Sequence, residues 1–267
     1  MHDTVRLRLV SSRQNSFVKD LRGAFHHGEL TAQGDCAVEG VKAVEDAIRS
    51  SVRISALFVA ESARERANKL LPQIGSHTET LLLSDDVFRS AVTSESPQGI
   101  AALVRVKQHS LDDLLRVIEP LIVVAAGIQD PGNLGTIIRS AEAFGATGLV
   151  AAEGTVNPYN PKVVRGSAGS IFRFPVAKVE GAATVSALRE RGIRILATSS
   201  HKSVPLPELD LRGPLAILFG NEGAGVPREL LKEADQVIGI PHSEKVESLN
   251  AGIAASVVLY ECARQRK

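Results

Sequence analysis

The chain has 267 residues, 44% of them hydrophobic and 23% charged, with 31 Lys and Arg against 30 Asp and Glu for a formal charge of +1. That length allows two domains of ordinary size, each able to bury a core. The near-neutral balance excludes a uniformly basic nucleic-acid-coating protein and confines any RNA contact to local patches. No apolar run reaches the length of a membrane span, and Asp3 with several arginines precedes the first apolar stretch, unlike a secretory signal. The reading is a soluble, cytoplasmic protein with no membrane partner. Cys36 and Cys262 have no second Cys or nearby His at ligand spacing, so they read as reduced structural thiols, and no metal is expected. Trp is absent and aromatic residues make up 4%, which excludes a broad base-stacking platform.

In chain order, the amino-terminal stretch sets Arg6, Arg8, Arg13, Lys19 and Arg22 against Asp3 and Asp20, a patch that either lies on phosphates or is a solvated arm. Apolar Val38, Val41, Val44, Ala47 and Ile48 predict a helix from Val38 to Ser50, followed by a β-branched strand from Ile54 to Ala60. A helix is expected from Ala63 to Leu71, a strand from Thr80 to Leu83, and a helix from Asp85 to Val92 begun by Ser84. Turn chemistry at Pro97-Gln98-Gly99 precedes a strand from Ile100 to Val106. The apolar pattern breaks at Lys107 to Ser110 and resumes as a helix from Leu111 to Ile118. The domains are therefore 1–108 and 109–267.

Beyond the break, six buried-type strands alternate with helices: Leu121 to Gly127, Gly148 to Ala152, Arg173 to Val179, Ile193 to Ser199, Leu215 to Gly220 and Gln236 to Ile240. This is the pattern of an α/β parallel sheet covered on both faces. A last helix is expected from Ser248 to Arg264, with Arg264, Arg266 and Lys267 trailing into solvent.

Open parallel sheets collect ligands at the carboxyl ends of their strands, and three loops there are unusual. The first, Gln129 to Gly135, opens a helix that carries Arg139; Asn133 reads either as that helix's cap or as a site residue, and Arg139 either pairs with Glu142 or points to the same loop. The second, Phe219 to Pro227, is glycine-rich, but its Gly-x-x-Gly-x-Gly order reverses the dinucleotide fingerprint. Glu222, read as buried beside three glycines, suits gripping backbone donors or a hydroxyl. The third runs from Ile240 to Asn250. Ser248 is a candidate N-cap, and the Asn250 amide sits in an apolar helix start where it needs a partner. Three such loops suggest one composite site.

These segments resemble the three signature motifs of the SpoU (TrmH-type) ribose methyltransferases of the SPOUT superfamily. Asn133, Gly135 and Arg139 match the first motif, and Gly220, Glu222 and Gly225 the second. Ile240, Pro241, Ser248, Leu249 and Asn250 match the third. Asn157 to Arg165 and Ser167-Ala168-Gly169 are similar to the family's second strand-loop-helix unit, and the likeness spans about residues 121–264. More loosely, Glu39 to Val44 and Ser96 to Ile100 resemble the substrate-binding domain often fused to these enzymes, a small α/β sandwich similar to RNA-binding ribosomal proteins.

The resemblance implies a C-terminal parallel-sheet SPOUT domain with a deep trefoil knot, a fold feature no periodicity can reveal. It also implies S-adenosylmethionine as cofactor, held by Thr198, Ser199, Leu218, Gly220, Ile240, Ser248 and Leu249. Methyl transfer to a ribose 2′-hydroxyl would involve Arg139, Asn133, Glu222, Ser248 and Asn250. Because guanidinium stays protonated in proteins, Arg139 is expected to hold a phosphate and ease a developing alkoxide, with the proton acceptor open. Ribosomal RNA is the expected partner, tRNA or a catalytically silent RNA-binding protein the alternatives, and a homodimer built partly on the last helix is expected.

Overall fold

The computed structural model describes residues 7–200, 203–243 and 245–266; Asp3, Arg6 and Lys267, named above, and Glu244 of the third loop lie outside them. In chain order come β1 (Arg8–Val10), α1 (Ser16–His27), β2 (Asp35–Glu39), α2 (Val41–Arg49), β3 (Ile54–Ala60), α3 (Arg64–Ala67), β4 (Glu79–Leu83), α4 (Asp85–Arg89), β5 (Ile100–Arg105) and α5 (Leu111–Leu114). There follow β6 (Leu121–Ala126), α6 (Pro131–Ala143), β7 (Gly148–Ala151), α7 (Pro161–Gly166), β8 (Val176–Lys178), α8 (Gly181–Glu190), β9 (Arg194–Thr198), β10 (Val204–Pro205), β11 (Leu215–Gly220), α9 (Arg228–Lys232), β12 (Gln236–Gly239) and α10 (Ala251–Gln265). The chain forms two compact units. One takes in the described residues up to Lys107 together with Tyr159–Phe172, the other Gln108–Pro158 and the described residues from Arg173 onward.

The first unit is a mixed sheet in the order β1-β4-β3-β5-β2, parallel on the β1-β4-β3 side and antiparallel on the β5-β2 side. Val38, expected to open a helix, belongs to β2. Gly40 at φ 96 ends that strand in a conformation that costs a side-chain-bearing residue, so helix begins only at Val41. The basic amino-terminal stretch also hides a helix. In α1, Asn15 caps Phe17 N–H at 3.0 Å, Val18, Leu21, Ala24 and Phe25 face inward, and Gly28 closes the end in the left-handed region. Arg22 is no free cation, since its Nε donates to Ser90 O at 2.9 Å. The expected helix from Ala63 reduces to the four residues of α3 between 3-10 turns.

The second unit is a seven-stranded sheet, all neighbours parallel, in the order β10-β12-β9-β11-β6-β7-β8. Every residue of β6 is buried, the signature of a strand covered on both faces. Ile122, Val124, Ile195, Ala216 and Leu218 share a core with Leu114, Leu188 and Leu230 from the helices. Burying each large aliphatic side chain contributes about 1.5–3 kcal/mol. α5 ends at Leu114, short of the expected Ile118, whose side chain is exposed; Leu114 itself presses on β7 so closely that a Cβ at Gly148 would lie 2.4 Å from its Cγ. At the carboxyl end, Arg264 is held by Glu261 at 2.7 and 2.8 Å. Arg266 donates to the carbonyls of Leu211 and Gly213 instead of trailing into solvent.

Strand order positions the site. β6 and β11 are neighbours, so the first two loops leave the sheet side by side. From there β7 and β8 lie to one side, β9 and β12 to the other. This is the switch point where open α/β sheets form a crevice.

Candidate active site

The first loop is ordered by a residue not singled out from sequence. Asp130 caps α6 by accepting the Asn133 N–H at 2.8 Å, which releases the Asn133 side chain from the capping role it was a candidate for. That side chain, 8% exposed, donates from Nδ2 to Glu222 Oε1 and accepts at Oδ1 from Asn250 Nδ2 at 2.8 Å. Asn250, rather than Ser248, is the N-cap of α10: its Oδ1 accepts the Ile253 N–H at 3.2 Å. The partner its amide was expected to need is therefore Asn133, and all three loops are joined by one hydrogen-bonded chain. Glu222, expected buried, is exposed, with its carboxylate at the Asn133 amide.

The second loop is closed by Asn221, which sequence reading quoted but gave no role. Its backbone exchanges hydrogen bonds with Gly225 at 3.1 and 2.8 Å, and its Oδ1 accepts from Gly223 and Ala224 N–H at 2.9 and 3.1 Å. Gly220 is required by the same turn, because a Cβ there would sit 2.1 Å from the Gly225 carbonyl carbon.

A cavity of about 350 Å³ opens between the second and third loops at the ends of β9, β11 and β12; Asn133 and Asn250 lie beside it and do not line it. Of the residues expected to bind a cofactor, Thr198, Ser199, Gly220, Ile240, Ser248 and Leu249 line it. Leu218 does not; it is fully buried and its carbonyl accepts the Thr198 hydroxyl at 3.0 Å. Glu222 and His242 also line the cavity, as do the buried side chains of Phe219, Val226, Ile238 and Val258. No lysine or arginine among the described residues does.

Arg139 stands apart. It is exposed, does not line the cavity, and makes no hydrogen bond or ion pair among the described residues. The pairing with Glu142 does not form, because Glu142 takes two hydrogen bonds from Arg173 at 2.8 and 2.7 Å. Six residues on a helix turn through about 240° from Asn133, so the two side chains leave α6 on different faces. The face near Asn133 instead meets α10, where Ser140 Oγ lies 2.7 Å from Ser256 Oγ and a Cβ on Gly252 would be 3.1 Å from Thr136.

This arrangement has known counterparts. Residues 120–260 match the SpoU rRNA Methylase family, and residues 15–102 match the MRM3-like substrate binding domain. The chain is 30% identical over 254 residues to the 23S rRNA (guanosine(2553)-2′-O)-methyltransferase RlmP of Bacillus subtilis, covering 95% of this chain and 98% of that protein. It is 31% identical over 273 residues to the 23S rRNA (uridine(2479)-2′-O)-methyltransferase of Streptomyces viridochromogenes, covering 98% and 94% respectively. Among solved structures, the AdoMet-bound rRNA methyltransferase from Sinorhizobium meliloti superposes with a TM-score of 0.79 at 30% identity, over 97% of this chain and 98% of that one. The SpoU methyltransferase AviRb from Streptomyces viridochromogenes, in complex with AdoMet, gives a TM-score of 0.80 at 28% identity over 94% and 98%. The motifs, the parallel sheet and the matched length together make this chain a member of the SpoU rRNA methylase family.

Proposed function

We propose that this chain is an S-adenosylmethionine-dependent methyltransferase acting on a ribose 2′-hydroxyl of RNA, ribosomal RNA being the substrate class. The observation that carries this is the side-chain relay Glu222–Asn133–Asn250, which fixes three loops beside one cavity.

The cavity suits the cofactor. Its buried apolar walls and glycine-rich edge offer main-chain groups to an adenine. Gly220, Ile240 and Leu249 would hold the base, with Thr198, Ser199 and Ser248 around it. The methyl donor supplies, when bound, a sulfonium that loses its charge as the methyl group leaves. The chain's own work is alignment: Asn133, Glu222 and Asn250 keep the loops in register so that little reorganisation remains at reaction. Arg139, an exposed and unpaired cation, is free to meet an RNA phosphate and to ease negative charge growing on the ribose oxygen.

We assign the role of gripping RNA to residues 1–108 and methyl transfer to residues 109–267. The match to a substrate binding domain supports the first assignment. A trefoil knot in residues 109–267 is supported by the match to the SpoU family alone. A homodimer is supported by Ile253, Val257 and Tyr260, spaced along one face of α10 and 55%, 38% and 56% exposed. Light scattering should give twice the chain mass; a concentration-independent monomer would rule the dimer out. No helix among the described residues is long and apolar enough to cross a membrane; a cytoplasmic location is supported by the proposed ribosomal RNA substrate.

The test is a map of ribose methylation on total RNA from cells with and without the protein. One ribose in ribosomal RNA should lose its methyl group when the protein is missing. A missing mark in tRNA would move the substrate class, and identical maps would remove the assignment.

A further inference from the structure

We propose that the first unit holds a pocket for one unpaired nucleotide of the RNA substrate, its base stacked on Phe172 and read along one edge by the Gln98 amide. The inference rests on the methyl-transfer reading above. A second cavity, of about 220 Å³, lies wholly within that unit, lined from residues 39–46, 94–98 and 164–172. It falls below the range of about 300–1,000 Å³ that holds drug-sized ligands, which suits a single base and excludes a duplex. Sequence-specific RNA recognition works in this way, on unpaired bases stacked against aromatic rings and hydrogen-bonded along their edges.

What the pocket offers follows from which of its groups are already satisfied. Glu39 Oε2 accepts the Ser94 hydroxyl at 2.6 Å, and Asp46 Oδ1 accepts from Lys42 Nζ at 2.7 Å, so both carboxylates have partners. The side chains of Ser96, Gln98 and Arg165 are exposed and make no hydrogen bond or ion pair among the described residues. Left over are a hydroxyl, an amide and a guanidinium. The amide carries a donor and an acceptor side by side, the pattern that pairs with the edge of a base. The guanidinium suits a phosphate on the same strand.

Phe172 supplies the flat face. In this unit Phe25, Phe58, Phe88 and Tyr159 are buried in the core, whereas Phe17 and Phe172 are half-buried, and of these Phe172 lines the cavity. One ring is no stacking platform, but it is enough for one base. The Gln98 amide is held from behind. Its own carbonyl accepts Arg66 Nη1 at 3.0 Å, Gly99 turns the chain at φ 77, and Gly40 leaves the amide its room, since a Cβ there would lie 3.0 Å from Gln98 Oε1. Fixing the amide in advance lowers the ordering cost of binding. The opposite wall bends at Ala168, φ 48, one of two non-glycine residues in the left-handed region among the described residues, and strain of this kind gathers at ligand sites.

The experiment uses the full chain and ribosomal RNA extracted from cells lacking the protein, with the bases probed by dimethyl sulfate and carbodiimide. The wild type should shield one unpaired base besides the nucleotide it methylates. With Gln98→Leu at concentrations that saturate the RNA, that base alone should become reactive again, and KM for RNA should rise about tenfold, the effect falling on KM and not on kcat. Phe172→Leu should act in the same direction, and neither variant should change S-adenosylmethionine affinity. Protection confined to the methylated nucleotide overturns the proposal, as does a Gln98→Leu footprint and KM equal to wild type. So does a free nucleoside monophosphate that fills the pocket without competing with RNA. A wild-type protein that neither shields nor methylates ribosomal RNA would instead overturn the functional reading beneath it.

Discussion

Asn250 donates from Nδ2 to Asn133 Oδ1 at 2.8 Å, a contact between residues 117 positions apart in the chain. The orientation of both amides follows from one helix end. Because Asn250 Oδ1 is occupied by the Ile253 N–H, its NH₂ must face Asn133. Asn133 must then present its oxygen, and its own NH₂ is left to the Glu222 carboxylate. The cap of α10 thereby determines how the second loop is held.

Asn133→Ala should break this relay in the middle, leaving Asn250 and Glu222 without their partner. We expect a loss of about 1–3 kcal/mol of stability, read by urea denaturation. In a double-mutant cycle with Asn250→Ala, the losses should fall short of additivity by about 0.5–3 kcal/mol. Strictly additive losses would show that the two amides are not coupled.

Gly220→Ala and Gly223→Ala form a matched pair. A Cβ at residue 220 would meet Gly225 backbone at 2.1 Å, whereas one at residue 223 meets only the Asn221 Oδ1 at 3.6 Å, an ordinary contact. The first substitution should weaken S-adenosylmethionine binding about tenfold or more, roughly 1.4 kcal/mol, and the second should leave it nearly unchanged. Titration calorimetry of the two variants decides; equal affinities would separate the turn from the cofactor site.

Arg139→Ala should reduce turnover about 100-fold or more while cofactor affinity stays within about twofold, because the side chain lies outside the cavity. The reverse result, weak cofactor binding with normal turnover at saturation, would contradict a role on the RNA side. Single-turnover rates beside calorimetry distinguish the two.

Neither cysteine should react in the folded protein. Cys36 and Cys262 are fully buried, and burial pushes their thiols up to about 12 and about 11, so almost no thiolate exists at neutral pH. Ellman's reagent should count no thiols in native protein at pH 8 and both after denaturation. A native thiol reacting at once would show that one of these cores is open.

How far the sequence could be read depended on the range of the interactions involved. The central strands of the parallel sheet were legible, because a strand buried on both faces is a continuous apolar run such as Leu121 to Ala126. The cap at Ser84 was legible too, since an N-cap acts within a few residues; its hydroxyl accepts the Val87 N–H at 3.4 Å. α1 was obscured by its own arginine and lysine, although Asn15 and Gly28 mark both ends. Three motif segments could be identified along the chain, yet nothing local says which amide faces which carboxylate. Nor does it say that Asp130 rather than Asn133 caps α6, that Asn250 rather than Ser248 caps α10, or that Arg139 leaves the helix on another face. The amino-acid sequence by itself determined the elements, the motifs and the order in which they occur, because periodicity and capping are short-range. Only the tertiary structure decided how the loops after β6, β11 and β12 share hydrogen bonds and how the last two frame a cavity, because those contacts exist only once the sheet has set distant strand ends side by side.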